Sequence, residues 1–107
     1  DDMLIISGVN VFPSQIESLL LDIEEVEPQY MLIVRKKGYL DHLVVKVESK
    51  KEVYDAGPQK RTEIENKIKN HIKSTMGVGV EVNLLEPKLL TRSEGKAKRV
   101  IDERPKN

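Results

Sequence analysis

The sequence contains no cysteine and no tryptophan, and aromatic residues make up only 4% of it. Without cysteine, disulfides and thiolate metal sites are excluded. With so few aromatic rings, a buried core has to be built from isoleucine, leucine and valine. The two histidines, His42 and His71, stand far apart and have no ligand-like neighbours. The composition therefore indicates an aliphatic core and no metal site.

An excess of charge of either sign is also lacking, because 18 basic residues balance 18 acidic ones. A general affinity for nucleic acid normally requires a basic excess, so neutrality and the scarcity of aromatic rings both count against a small nucleic-acid binder. No apolar run approaches the length of a membrane span or of a signal-peptide core. We therefore expect a cytoplasmic protein with no membrane partner.

The charge that is present is distributed unevenly. Residues 88–107 carry seven basic and three acidic side chains, a net charge of +4, so the other 87 residues carry −4. A short cationic segment on a mildly acidic body suits a local anionic partner, such as a nucleotide or CoA, better than a long polyanion. Residues 91–100, TRSEGKAKRV, admit two interpretations: a solvated basic loop, or a flexible loop that delivers a lysine to an anionic oxygen.

The N-terminal part of the chain has the pattern of a hairpin followed by a helix. Two short apolar stretches within residues 3–12 flank a Ser-Gly pair and predict a tight β-hairpin. Ser14 and Glu17 have the spacing of a capping box. Apolar residues then recur at helical spacing, which predicts a helix over residues 14–24.

The middle of the chain has the pattern of two strands. Apolar residues dominate Tyr30–Arg35 and alternate with other residues in Leu40–Glu48, which predicts two strands around a Lys-Lys-Gly turn. Residues 49–60 are polar and contain Gly57-Pro58, so we predict a loop there.

A second helix and a last strand follow. Thr62 and Glu65 repeat the capping-box spacing, and Gly77 is placed to end the helix in the left-handed conformation. An apolar stripe at four-residue intervals predicts the buried face of this helix: Ile64, Ile68, Ile72 and Met76. Alternating apolar residues over 78–84 predict a strand that Pro87 stops. After Leu90 no periodic pattern remains.

The order of predicted elements defines the fold class. It is α+β, a small domain with an N-terminal β-hairpin and a βαββαβ-like, antiparallel or mixed sheet with the helices on one side. The chain is long enough for one such domain and ends in a flexible basic loop.

Two segments at opposite ends of the chain resemble a known family. DDMLIISGVNVFPSQIE (residues 1–17) resembles the DD-x-I-x-x-x-G-x-x-V-x-P-x-x-IE segment of the adenylate-forming enzymes, and TRSEGKAKR (residues 91–99) resembles their terminal R-x-x-GK-x-x-R motif. Both segments are similar in particular to those of phenylacetate-CoA ligases. The resemblance covers essentially all 107 residues and corresponds to the small C-terminal domain of these enzymes.

The resemblance implies a two-step reaction. A carboxylate attacks the α-phosphate of ATP to give an acyl-adenylate, and the CoA thiol then attacks that adenylate. Residues 1–107 would be a C-terminal lid domain that rotates between the steps, cut from a longer enzyme and inactive alone. A large N-terminal domain, absent from this chain, would hold the ATP loops, the Mg²⁺ ligands and the aryl-acid pocket.

The resemblance also implies roles for particular residues. Lys96 matches the catalytic lysine of adenylation. Asp1 matches the hinge between the domains, and Asp2 is the alternative pivot. Three residues of the N-terminal hairpin match the segment that lines the pantetheine tunnel: Ser7, Gly8 and Val9. Three basic residues are candidates for CoA-phosphate or interdomain contacts: Arg92, Lys98 and Arg99.

Several alternatives stay open at this stage. Ser7 departs from the family, in which a basic residue often precedes the tunnel glycine, so a phosphate contact at position 7 is in doubt. A free-standing βαββαβ regulatory domain that binds a small ligand fits the element order from 14 to 85, although it leaves both terminal segments unexplained. The identity of the aryl acid and a homodimeric parent enzyme are also open.

Overall fold

The computed structural model describes residues 2–90 and 99–105 of the chain. Its strands are β1 (Leu4–Ile6), β2 (Val9–Val11), β3 (Val26–Lys37), β4 (Leu40–Ser49), β5 (Glu81–Leu85) and β6 (Val100–Asp102). Its helices are α1 (Pro13–Leu21), α2 (Lys51–Asp55) and α3 (Pro58–Met76). None of these helices combines the length and the apolar character needed to cross a bilayer.

The main sheet has four strands in the order β5-β4-β3-β6. Strands β3 and β4 pair antiparallel, whereas β5 runs parallel to β4 and β6 runs parallel to β3. The predicted mixed α+β fold is therefore confirmed. The N-terminal hairpin is a separate two-stranded antiparallel sheet, so it does not contribute a strand to the main sheet.

One aliphatic core holds these elements together. Alternate residues of β3 and β4 lie on one face of the sheet, where both long helices cover them. The predicted stripe of α3 is part of this core, with Ile64, Ile68 and Ile72 at most 1% exposed. The hairpin packs on the same core through the side chains of Leu4, Ile6 and Val11. Burial of its inner face thus fixes the hairpin against the domain.

The predicted capping box of the first helix is wrong. The helix begins at Pro13 after the cap residue Phe12, which is one residue earlier than predicted. Proline suits a first helical position because its missing N–H would have no helical partner there. The Phe12 N–H donates to Gln15 Oε1 at 3.2 Å, and Glu17 instead accepts a hydrogen bond from the Tyr30 hydroxyl.

The second helix also begins earlier than predicted. Gly57, with φ at 110°, precedes Pro58, so Thr62 lies inside α3 rather than at its cap. Glu65 Oε2 accepts the Leu84 N–H at 2.8 Å, which joins the helix to β5. Gly77 ends α3 in the left-handed conformation, with φ 72° and ψ 18°, as predicted.

Two further elements escaped prediction. The predicted loop over 49–60 contains α2 and the start of α3; α2 buries no residue, so no apolar periodicity announces it. Beyond Leu90, where no pattern was found, β6 pairs with β3 over three residues only. So short a strand at a sheet edge carries too few alternations to be recognised from sequence.

We expect Ile68→Ala to destabilise the chain by about 2–5 kcal/mol, because it would leave a cavity at a fully buried position facing the sheet. Lys69→Ala, on the neighbouring exposed position, is the matched control and should stay within about 0.5 kcal/mol of the wild type. Urea denaturation of the 107-residue chain measures both. Equal stabilities for the two variants would contradict the assigned core.

Candidate functional site

The turn between β1 and β2 has an unusual backbone. Ile6 pairs with Val9, so Ser7 and Gly8 form a two-residue turn, and both have positive φ angles of 48° and 80°. Two left-handed residues are the mark of the type I′ turn that suits a tight hairpin. Gly8 adopts this conformation readily, whereas Ser7, as an L-residue with a Cβ, does so at a cost.

The surroundings of the turn leave it accessible. Ser7 and Gly8 are exposed, and Val9 is half-buried against the core. A Cβ built on Gly8 would meet no atom within 4 Å. Within the described residues, nothing in this chain therefore packs against the open side of Gly8, and another molecule can approach its backbone there.

A carboxylate from the main sheet holds this turn. The Ser7 N–H donates to Asp41 Oδ2 at 2.7 Å. The other oxygen, Oδ1, is buried and lies 2.9 Å from Lys36 Nζ and 3.3 Å from Arg104 Nη1. The Ser7 hydrogen bond, followed by the interaction with Lys36, lowers the pKa of Asp41 to about 2. Asp41 is thus ionised over the whole physiological pH range.

Arg104 connects the C-terminal segment to the same place. Its guanidinium donates to both carboxylate oxygens of Asp102, at 3.0 and 2.8 Å, and to the backbone oxygen of Ile5 at 2.7 Å. The hydrogen bonds from Arg104 lower the pKa of Asp102. One arginine therefore links β6 to β1 and to Asp41 on β4.

Sequence reasoning missed this cluster. Asp41 is 34 residues from Ser7, and Arg104 is 99 residues from Ile5. Neither residue belongs to a motif, and both look like ordinary solvated charges in the sequence. The one available signal was Ser7 itself, a non-glycine residue in a two-residue hairpin turn, which calls for a local partner.

A second carboxylate fixes the segment that precedes residue 91. Glu48, near the end of β4, is fully buried. Its two oxygens accept the backbone N–H groups of Lys88 at 2.8 Å and Leu90 at 3.0 Å. Lys88 has a positive φ of 66°, so the chain turns sharply here. A buried carboxylate needs such partners, and these two define the path of the chain up to Leu90.

Arg99 fixes the segment that follows residue 98. Its backbone oxygen accepts the Leu32 N–H at 2.7 Å. Its guanidinium lies 4.7 Å from the centre of the Tyr30 ring and donates to the backbone oxygen of Pro28 at 3.1 Å. The side chain is thus engaged within the domain through a cation–π contact and a hydrogen bond. Its predicted phosphate or interdomain contact stays a prediction.

The other predicted site residues divide into two groups. Asp2 lies at the start of the described part of the chain and is exposed. Four residues with predicted roles lie outside the described residues: Asp1, Arg92, Lys96 and Lys98. The structure therefore gives the two attachment points of the basic segment, Glu48 and Arg99, and the turn at Ser7-Gly8.

The described side chains include no metal-binding cluster. Within residues 2–90 and 99–105, no group of three or more histidine or carboxylate side chains has a geometry that could hold a metal ion. His42 Nε2 lies 3.0 Å from Glu81 Oε1 as an isolated pair. These residues do not fit a Mg²⁺ site of their own.

Comparison with known proteins identifies the class of this fold and site. A profile of the AMP-binding enzyme C-terminal domain matches residues 8–104, which include Gly8, Asp41, Glu48 and Arg104. The chain therefore belongs to this family of C-terminal domains of adenylate-forming enzymes. Family membership favours a C-terminal domain of a larger enzyme over the free-standing regulatory domain.

Particular relatives narrow the class. Phenylacetate-coenzyme A ligase of Escherichia coli (strain K12) is 43% identical over 102 residues, which cover 95% of this chain and 23% of that enzyme. A domain of phenylacetate-coenzyme A ligase from Bacteroides vulgatus ATCC 8482 superposes with a TM-score of 0.87 at 30% identity, covering 98% of this chain and 95% of that one. The chain spans about a quarter of the length of the curated relatives it matches.

A solved ligand complex shares the fold. 2-Hydroxyisobutyryl-CoA ligase, in complex with 2-HIB-AMP and CoA in the thioesterification state, superposes with a TM-score of 0.89 at 29% identity, covering 97% of this chain and 22% of that one. The fold described above is therefore also found in part of a CoA ligase.

We expect acid to weaken the hold of Asp41. The pKa of Asp41 in the folded chain, about 2, lies below its ordinary value of 3.8, so its stabilising contribution is present above about pH 4 and is lost as the pH falls through 2. The stability difference between wild type and Asp41→Asn should therefore be largest above pH 4 and shrink towards pH 2. Denaturation curves across this range measure it. A difference independent of pH would contradict the assigned ionisation.

Proposed function

We propose that this chain is the C-terminal lid domain, residues 1–107, of an ATP-dependent ligase that converts phenylacetate, ATP and CoA to phenylacetyl-CoA, AMP and pyrophosphate. The observation that carries the proposal is the 43% identity with a phenylacetate-CoA ligase over 95% of the chain. The domain's partners would be a large N-terminal domain of the same enzyme, the aryl acid, ATP and CoA.

Lys96 supplies the positive charge for adenylation in this proposal. As the substrate carboxylate attacks the α-phosphate, negative charge builds up on the reacting oxygens. A lysine ammonium is compact and has three donors, so it can bridge the carboxylate and the nucleotide. In a site from which water is excluded, such a preorganised cation stabilises the transition state strongly.

The two attachment points of the basic segment support this role. Glu48 binds the backbone at Lys88 and Leu90, and Arg99 is bound to Pro28, Tyr30 and Leu32. A lysine between two such anchors has a limited region to search, which reduces the entropy lost when it meets the nucleotide. Arg92, Lys98 and Arg99 add positive charge that favours phosphate groups or an acidic surface of the large domain.

The hairpin turn serves the second step. Ser7, Gly8 and Val9 would line the pantetheine arm of CoA, whose thiol attacks the acyl-adenylate and displaces AMP. The space beside the missing Cβ of Gly8 is empty in this chain, which permits a close approach of the pantetheine to the backbone.

The domain has to rotate between adenylation and thioester formation if Lys96 and the Ser7-Gly8 turn both act at the same reacting centre. Asp1 is the proposed pivot and Asp2 the alternative, because a few residues at the end of an element can absorb the rotation. Mg²⁺ bound with ATP would have its ligands outside the described residues. Since ATP and CoA are intracellular substrates, we propose the cytoplasm as the site of reaction; a homodimeric parent enzyme is a further proposal.

In the enzyme that contains this chain, we expect Lys96→Ala to lower phenylacetate-dependent pyrophosphate exchange into ATP by about 10²–10³-fold, the usual effect of losing one preorganised donor. Thioester formation from preformed phenylacetyl-adenylate and CoA should survive, because the lysine has no role in that step. Lys73→Ala, on an exposed position of α3, is the control and should leave both rates unchanged. Unchanged exchange in the Lys96 variant would refute its assignment.

We expect Gly8→Ala to slow thioester formation and to spare adenylation, which is the opposite of the effect expected for Lys96→Ala. The added methyl group would occupy the space proposed for pantetheine and would strain a turn with φ at 80°, so thioester formation should fall while pyrophosphate exchange continues. Gly8→Asn is a useful second variant, because asparagine tolerates the left-handed conformation but still adds a side chain. If both variants make thioester at the wild-type rate, the turn does not line the pantetheine path.

A further inference from the structure

We propose that Asp41 is a positioning residue for the thioester-forming step, because its carboxylate holds the Ser7-Gly8 turn in the conformation that meets the pantetheine arm. The inference rests on the proposed function of that turn. It assigns a role to a charged cluster that belongs to no motif and that lies entirely within the described residues.

The backbone of the turn is strained at Ser7. Ser7 has a φ of 48°, a conformation that L-residues with a Cβ avoid, and Gly8 next to it can adopt many other conformations at little cost. Strained backbone persists only where neighbouring groups enforce it. The short hydrogen bond from the Ser7 N–H to the Asp41 carboxylate, at 2.7 Å, is such a group.

Two cations hold the Asp41 carboxylate in place. Lys36 lies directly opposite Asp41 in the β3–β4 register, and its ammonium is 2.9 Å from the carboxylate. Arg104 lies 3.3 Å from the same oxygen and is fixed in turn by Asp102. The Asp41 side chain is only 11% exposed, whereas that of Lys36 is 43% exposed, so solvent screens this ion pair in part. The carboxylate therefore has a defined position relative to the main sheet.

Two polar contacts fix the hairpin as a whole. Apart from its buried inner face, β1–β2 is tied to the sheet through Asp41 at Ser7 and through Arg104 at the backbone oxygen of Ile5. Both ties meet at the Asp41–Arg104 pair. Removing the Asp41 carboxylate leaves the hairpin packed on the core through Ile6 and Val11, but frees its tip.

The consequence for catalysis is selective. Attack of a thiol on an adenylate requires the reacting atoms to be aligned, and a misplacement of about 1 Å can cost about 10²-fold in rate. A displaced turn would misplace the pantetheine arm and therefore slow the second step. The first step depends on a different part of the chain, at Lys96, and should be nearly unaffected.

The test uses the complete enzyme that contains this chain, with Asp41→Ala. Thioester formation from preformed phenylacetyl-adenylate should fall 10- to 100-fold, with a raised KM for CoA, while pyrophosphate exchange stays within about twofold. Asp41→Asn, which keeps an oxygen acceptor but loses the charge, should show a smaller loss and serves as the test if the alanine variant does not fold. Asp55→Asn, in the exposed Lys51–Asp55 pair on α2, is the control and should change neither step.

A rescue experiment separates positioning from general stability. Ser7→Gly removes the strain that Asp41 opposes, since glycine adopts positive φ freely. In the Asp41→Ala background it should restore at least part of the thioester rate. Equal losses in both steps would overturn the proposal by showing a merely structural role, and so would no loss in either step.

The Gly8 variants distinguish failure of the Asp41 proposal from failure of the pantetheine assignment. If Gly8→Ala and Gly8→Asn slow thioester formation but Asp41→Ala does not, the turn function stands and the Asp41 inference fails. If none of these variants affects thioester formation, the pantetheine assignment itself fails, and the Asp41 proposal fails with it.

Discussion

The antiparallel pairing of β3 and β4 is the constraint on which the rest of this domain depends. Strand β5 adds to β4 and β6 adds to β3, while both long helices cover one face of these two central strands. The polar anchors are built on the same strands. Asp41 near the start of β4 fixes the hairpin turn, Glu48 near its end fixes residues 88–90, and Tyr30 on β3 receives Arg99. A shift of register between β3 and β4 would displace Asp41 and Glu48 relative to Tyr30 and would misalign these supports.

Each anchor binds a segment that has little apolar surface of its own. The turn at Ser7-Gly8 is exposed, and among the described residues of the C-terminal part so are 88, 89, 101–103 and 105. Apolar packing therefore cannot fix these segments. Charged side chains fix them instead, through short hydrogen bonds to backbone N–H and C=O groups. This arrangement keeps the backbone outline of the candidate site defined while leaving its outer surface open to a large ligand or to another domain.

The core could be predicted from the sequence, whereas the supports of the site could not. The stripe of Ile64, Ile68 and Ile72 has a period that only a half-buried helix explains, so burial was readable directly. Gly77 carried a comparable local signal. Asp41 and Glu48 carried none, because a buried carboxylate and a solvated one are identical in sequence until the fold brings their distant partners close. The errors at both helix starts have a local cause: proline at the first helical position outweighed the capping-box spacing.

The separation of the two carboxylates along β4 has a geometric consequence. Glu48 follows Asp41 by seven positions along β4. At about 3.3 Å per residue, their backbones lie about 23 Å apart. This distance is comparable to the shortest of the domain's three dimensions, 23 Å. Groups fixed at opposite ends of one rigid strand can reach the same fixed point only if the strand is displaced relative to that point, by translation, by rotation or by both. A rigid-body exchange of the two ends at one point would therefore move each end of β4 by about this separation.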